Sequence, residues 1–295
     1  MSSTIYAGAE LGGTKCVLTL GRGPGDVIAR EQIATGAAAE TLEAIEQILS
    51  GWRADHGFSA LGIGSFGPLD LDPASPGFGR ITSTPKPGWA GAEVLERLSR
   101  AAGVPTVIDT DVNGAALAEM RWGSGRGMDD FAYITVGTGV GVGLIVNAKA
   151  TRGFAHCELG HIRPARLAGD KWPGSCPFHG DCVEGLASGP ALKARVGAEQ
   201  ATQLAPDSPM WETVAWALAQ LCHVIVCTSA PRAIAIGGGV VTGNPHLLER
   251  IEAMLVESLN GYVHLPDGGP YVRAPGLGAE AGPLGAIALA MNARC

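Results

Sequence analysis

Aromatic residues make up only 5% of this 295-residue chain, and a basic excess is missing: 21 Lys and Arg stand against 28 Asp and Glu, for a formal net charge of −7. A surface without a Lys/Arg stripe does not neutralise a run of backbone phosphates, so nucleic acid is excluded as an expected partner. Long apolar runs are missing too. No uninterrupted hydrophobic segment reaches the ~20 residues that cross a bilayer, and Met1-Ser2-Ser3-Thr4 leads into alternating apolar residues without the basic flank of an export signal. The expectation is a soluble, cytoplasmic chain with no membrane partner. Its seven cysteines are odd in number, which in that compartment argues for thiols or metal ligands over a disulfide framework.

What the chain has is a 46% hydrophobic content and 44 glycines, enough apolar material for a sizeable core and enough glycine for many tight turns. Residues 5–11 and 16–20 read as two strands joined by Gly12-Gly13-Thr14-Lys15. A third strand over 27–33, a helix over 41–52 with Leu42, Ile45, Ile48 and Leu49 on one face, and a strand over 61–66 follow. Next come a helix over 94–102, a short strand over 106–108 and an alanine-rich helix over 114–121. Strand, glycine turn and strand then recur at 131–136, Gly137-Thr138-Gly139-Val140-Gly141 and 142–146. Two such hairpins, each opening a mixed half, predict a duplicated α/β unit with a cleft between its copies. Beyond an irregular stretch from 151 to 182, helices are expected at 188–196, 210–229, near 246–259 and at 279–291, with a strand at 233–236.

Three constellations carry chemistry. Gly12-Gly13, Gly137 to Gly141 and Gly237-Gly238-Gly239 each lie at a strand end, where backbone amides approach phosphate oxygens without Cβ obstruction. Thr14, Lys15 and Thr138 add groups suited to phosphate, although no turn has the Walker or dinucleotide spacing. Asp111 follows a buried strand, with Asn113 two residues later, and is the candidate general base; the alternative is that Asp109, Thr110 or Asp111 caps the next helix. His161, Cys176, His179 and Cys182 fit tetrahedral zinc, with His156 and Cys157 as rival ligands and a Cys176–Cys182 disulfide as the alternative. Glu158 and Glu184 flank this knot, suitably placed to accept hydrogen bonds from sugar hydroxyls.

These segments resemble the ROK family of sugar kinases and repressors, and within it the bacterial fructokinase branch, over essentially the whole chain. Glu10-Leu11-Gly12-Gly13-Thr14-Lys15 is similar to the family's first phosphate loop, with Glu where most members carry Asp. Ser65-Phe66-Gly67-Pro68 and Thr82-Ser83-Thr84-Pro85-Lys86-Pro87-Gly88-Trp89 resemble the branch's substrate-side loops, Asp111-Val112-Asn113 its catalytic element, and Gly237 to Gly239 its adenosine-side loop. The resemblance implies sugar contacts from Glu158, His161 and Glu184, with His179 in place of a zinc cysteine. It also implies an actin-like (ribonuclease H-like) duplicated two-domain ATPase fold, Mg·ATP as cofactor, structural zinc, domain closure on the sugar and a homodimer. Domains are expected at 1–113 plus 279–295, the last helix crossing back, and at 114–278 with the zinc-binding insertion.

The expected activity is that of an ATP-dependent hexose kinase, a fructokinase making fructose 6-phosphate, with Asp111 as base and Gly67, Pro68 and Asn113 on the sugar side. Kinases for glucose, mannose or N-acetylmannosamine are the alternatives within that class. A sugar-sensing repressor needs a DNA-binding module, for which the four residues before Ile5 leave no room. A serine hydrolase built on Ser65 lacks the glycine of the nucleophile elbow.

Overall fold

The computed structural model describes residues 4–84 and 86–293. Pro85 of the expected substrate-side loop and Cys295 lie outside the described residues. The chain divides into two compact units, one of residues 1–126, 150–157 and 279–295, the other of residues 127–149 and 158–278.

In the first unit, β1 (Tyr6–Leu11), β2 (Lys15–Gly23) and β3 (Asp26–Ala34) run antiparallel. α1 (Ala38–Asp55) then buries Leu42, Ile45, Leu49 and Trp52 at helical spacing, and β4 (Leu61–Ser65) returns parallel to β1. α2 (Val94–Ala102) stops at Gly103, whose φ of 61° is the left-handed position a helix terminator needs. β5 (Thr106–Thr110) adds parallel to β4, giving the order β3-β2-β1-β4-β5, and α3 (Asp111–Trp122) follows without a loop. β1 and β4 are buried almost throughout, whereas β3, at the sheet edge, is largely exposed and carries the charges that keep an edge from pairing further.

The second unit repeats the plan. β6 (Phe131–Val136) and β7 (Val140–Val146) form the second hairpin, β8 (Lys149–Ala150) flanks it, and α4 (Val183–Ala187), α5 (Gly189–Val196), α6 (Ala198–Thr202) and α7 (Pro209–Ser229) follow. β9 (Ile234–Gly237) pairs parallel with β6; then come α8 (Gly239–Thr242), α9 (Leu247–Leu259) and β10 (Val272–Arg273), which pairs parallel with β9. The order β10-β9-β6-β7-β8 matches the first sheet strand for strand, β6 standing for β1, β7 for β2, β9 for β4 and β10 for β5. The fold is thus the duplicated, actin-like arrangement. α7 is long and apolar enough to span a membrane, but most of it is buried, as in a core helix packed against α9 and α4.

The chain ends in α10 (Ala281–Ala290), which packs in the first unit on β1, β4 and α3. Close approach is required here: a Cβ on Gly8 would lie 2.8 Å from the Ala286 Cβ, far inside contact distance. α3 begins at Asp111, earlier than the start expected near Gly114, because Thr110 caps it: the Asn113 amide donates to Thr110 Oγ1 at 3.1 Å. Packed on α10 and β4, α3 belongs to the first unit, so the division falls after Arg126 and not after Asn113.

Candidate active site

Strand register gathers the first unit's candidates at one end of its sheet. Glu10, Gly64 and Asp109 lie in one row across β1, β4 and β5, followed by the row of Leu11, Ser65 and Thr110. Beyond these carboxyl ends come the turn of Gly12 to Lys15, the Phe66-Gly67-Pro68 segment and Asp111, the region where open α/β sheets bind ligands. In the turn, the Gly12 amide donates to the Lys15 carbonyl at 3.0 Å, while the amides of Gly13 and Thr14 donate to no acceptor among the described residues. A Cβ on Gly13 would meet nothing within 4 Å. Open space over unused amides is what a phosphate needs. The Lys15 ammonium, by contrast, is engaged with Gln32 Oε1 of β3 at 3.3 Å.

Asp111 occupies the first turn of α3, where a negative charge is favoured by the helix's unpaired amides, and its Oδ1 accepts from the Val112 amide at 2.9 Å. Asp109 proves to be the support. Its side chain is 3% exposed and is held by three donors: Arg152 Nη2 at 2.7 Å, the Thr110 amide at 2.8 Å and Asn113 Nδ2 at 2.7 Å. A buried carboxylate so satisfied is a rigid anchor, and it fixes which face of the Asn113 amide is presented. Arg152 was missed by sequence reasoning, and His156 was considered only as a rival metal ligand. Both lie on the 150–157 segment, which rejoins the first unit, where His156 Nε2 accepts from the Leu69 amide at 3.0 Å beside Gly67. Ser65 is fully buried and donates to its neighbour's carbonyl, so it cannot serve as a nucleophile.

Glu10 carries the site's perturbed carboxyl. Burial, and after it the Asp111 charge, push it from 4.5 up to about 7. The folded chain therefore holds this proton more tightly than the unfolded chain does. Stability from this group is complete below pH 4.5 and is lost as pH rises through about 7, a change on the order of 3 kcal/mol. Glu10→Gln is expected to flatten that slope and to raise stability at pH 8 relative to the parent, as read from urea melts at pH 5 and 8. Parallel slopes in the two proteins would show that Glu10 titrates normally.

The second unit gathers its own candidates at the ends of β6 and β9. The amides of Thr138 and Gly139 have no acceptor among the described residues, and Cβ atoms on Gly137 or Gly239 would meet nothing within 4 Å. Thr135 pairs with Gly237, and a Cβ on Gly238 would press on the Val136 backbone, so the two glycine turns adjoin. Glu184 Oε2 accepts from the Val140 amide at 3.1 Å, which seats this carboxylate on the second phosphate-type turn. Glu158 and His161 bracket a single 3-10 turn (Leu159–His161), where Gly160 lies directly against the Val140 carbonyl.

His161, Cys176, His179 and Cys182 do converge, their ligand atoms all within 4.8 Å of one another. The Cys176 Sγ is 3.8 Å from His161 Nδ1 and 3.6 Å from His179 Nδ1, and Cys182 Sγ is 3.6 Å from His161 Nδ1. Tetrahedral zinc, with bonds of about 2.3 Å to sulfur and 2.0 Å to nitrogen, sets S···N separations near 3.6 Å. The donors fit the ion. Neither rival joins them: His156 is on Leu69, and the Cys157 Sγ is 3.1 Å from Thr151 Oγ1. Cys176 and Cys182 are free thiols, as are the buried Cys16 and Cys222 and the exposed Cys227.

Comparisons with known proteins converge on one family. The sequence model of the group described as "ROK family" matches residues 6–293. A protein named fructokinase from Zymomonas mobilis is 41% identical over 295 residues, covering 98% of this chain and 97% of that protein. Another fructokinase, from Pediococcus pentosaceus, is 38% identical over 289 residues, covering 98% of each. Among solved structures, a ROK family glucokinase from Streptomyces griseus in complex with glucose and AMPPNP superposes with a TM-score of 0.74 at 27% identity, covering 97% of this chain and 99% of that one.

Proposed function

The chain belongs to the ROK family, and from that premise we propose that it is an ATP-dependent fructokinase, moving the γ-phosphoryl group of ATP to the primary hydroxyl of fructose. The observation that carries the reading is the pairing, at one sheet end, of a carboxylate on a helix N-terminus with a glycine turn whose Gly13 and Thr14 amides donate to no acceptor among the described residues. Asp111 accepts the hydroxyl proton as the alcohol attacks, a role worth ~100- to 10,000-fold in rate. Asn113, oriented by Asp109, binds the sugar together with Gly67, Pro68, Glu158, His161 and Glu184. The turn from Gly12 to Lys15 takes phosphate oxygens on its Gly13 and Thr14 amides, and the turn from Gly137 to Gly139 on its Thr138 and Gly139 amides, while Gly237, Gly238 and Gly239 serve the adenosine side. When bound, Mg²⁺ supplies charge neutralisation at the phosphates. His161, Cys176, His179 and Cys182 hold a structural Zn²⁺. The enzyme works in the cytoplasm as a homodimer.

A glucose kinase is the second reading, favoured by the glucose in the Streptomyces griseus structure. The purified protein with Mg·ATP, offered fructose, mannose, glucose and N-acetylmannosamine in turn, is expected to release ADP fastest with fructose. A tenfold preference for glucose would transfer the assignment to the second reading, and ADP release unmoved by every sugar would end both.

A further inference from the structure

The cation at the first phosphate turn comes from a different loop than the motif suggests. Lys15, inside the turn's own motif, has its ammonium on Gln32, whereas Lys86 Nζ donates to the Gly13 carbonyl at 2.5 Å. We propose that Lys86 is a catalytic residue of the phosphoryl transfer, its ammonium contacting the terminal phosphoryl group. The inference rests on the kinase reading above.

Three features show that Lys86 is delivered to this place by construction. Lys86-Pro87-Gly88-Trp89 closes a turn in which the Trp89 amide donates to the Lys86 carbonyl at 3.3 Å, with proline and a positive-φ glycine (φ 77°) at the two central positions that a type II turn demands. Trp89 is fully buried, stacks edge-on against Phe66 at 5.0 Å between centroids and donates from Nε1 to the Gly36 carbonyl at 2.9 Å. The neighbouring Thr35 closes the frame on the phosphate turn itself, its hydroxyl on the Gly12 carbonyl at 2.8 Å and its amide on the Thr14 carbonyl at 3.0 Å. Turn, anchor and lysine are thus one hydrogen-bonded assembly.

An ammonium has three donors, and one is spent on Gly13, which leaves two for phosphoryl oxygens. In the reaction the sugar oxygen bonds to the γ-phosphorus as the bond to the β,γ-bridging oxygen breaks. The hydroxyl proton passes to Asp111, and the bonding pair leaves with ADP. Charge on the transferring group is highest in that passage, where a fixed cation beside it lowers the barrier. Lys86 neither gains nor loses a proton.

The test compares the parent with Lys86→Met and Lys86→Arg in steady-state kinetics with Mg·ATP and fructose, and in calorimetric binding of Mg·ADP and Mg·AMPPNP. Lys86→Met is expected to lower kcat ~100-fold or more with KM for fructose within about threefold. It is also expected to weaken AMPPNP about tenfold while leaving ADP unchanged, and Lys86→Arg, which keeps the charge, recovers part of kcat. Retention of kcat within threefold by Lys86→Met overturns the inference and leaves the kinase reading standing. Equal weakening of both nucleotides with a lowered Tm overturns it as well, because that marks a prop for the turn. If the parent phosphorylates no sugar, the kinase reading fails on its own, and the ADP-versus-AMPPNP difference still decides whether Lys86 touches the terminal phosphate.

Discussion

Asp111→Asn is expected to lower kcat for fructose phosphorylation by ~100- to 10,000-fold while leaving the fold and the binding of Mg·ADP intact. Asparagine is nearly isosteric, and its side-chain carbonyl still accepts from the Val112 amide, so the start of α3 keeps its hydrogen bond. What it loses is basicity. The same substitution removes a negative charge from the neighbourhood of Glu10, the second cause of that carboxyl's elevation after burial. Glu10 therefore moves down toward its ordinary range without reaching it. A coupled assay for ADP, run beside thermal melts of both proteins, separates the chemical loss from any structural one. A variant with full kcat would show that the base is elsewhere.

The reading of strands and helices from the residues succeeded where period and punctuation agreed. α2 was expected at 94–102 and lies there, because its apolar face and Gly103 mark both ends. The glycine hairpins likewise announced the duplication that the two sheets display strand for strand. α3 starts three residues early for a local reason, because Thr110, one of the three cap candidates, accepts from the Asn113 amide. The other failures came where long-range contact decides. The zinc-type donors were legible from spacing, but the exclusion of Cys157 and His156 was not, since it follows from where residues 150–157 fold back. No motif singled out Arg152, and only the tertiary fold brings it to the buried Asp109, 43 positions earlier in the chain. Lys86 sat within a loop recognised as substrate-side, yet nothing in one dimension says that its ammonium ends on Gly13.

Removal of metal from the His161–Cys182 knot carries the largest expected structural effect. At the centre of the knot the chain has little core of its own: Pro177 and Phe178 are exposed, the latter at 68%, and Cys176 and Gly180 exchange amide bonds of 3.1 and 2.9 Å in a single bridge, while the amides of Ser175 and Val183 donate to the carbonyls of Gly185 and Ile162 and Arg166 pairs with Asp170 and Asp181 around it. A structural zinc site supplies about 10–16 kcal/mol in small peptides, more than such a bridge contributes. Cys182 also opens α4, where its sulfur accepts from the Gly185 amide, so losing the knot loosens the helix that carries Glu184. Cys182→Ser, or exhaustive chelation of the parent, is therefore expected to abolish zinc in elemental analysis, to expose 161–182 to protease and to lower kcat/KM for sugar at least tenfold. Nucleotide affinity should change far less, because the glycine turns at 137–139 and 237–239 are built on β6 and β9. One zinc per chain, lost with these consequences, is the result to look for; a metal-free protein of full activity and unchanged protease resistance would show that the four side chains converge without holding an ion.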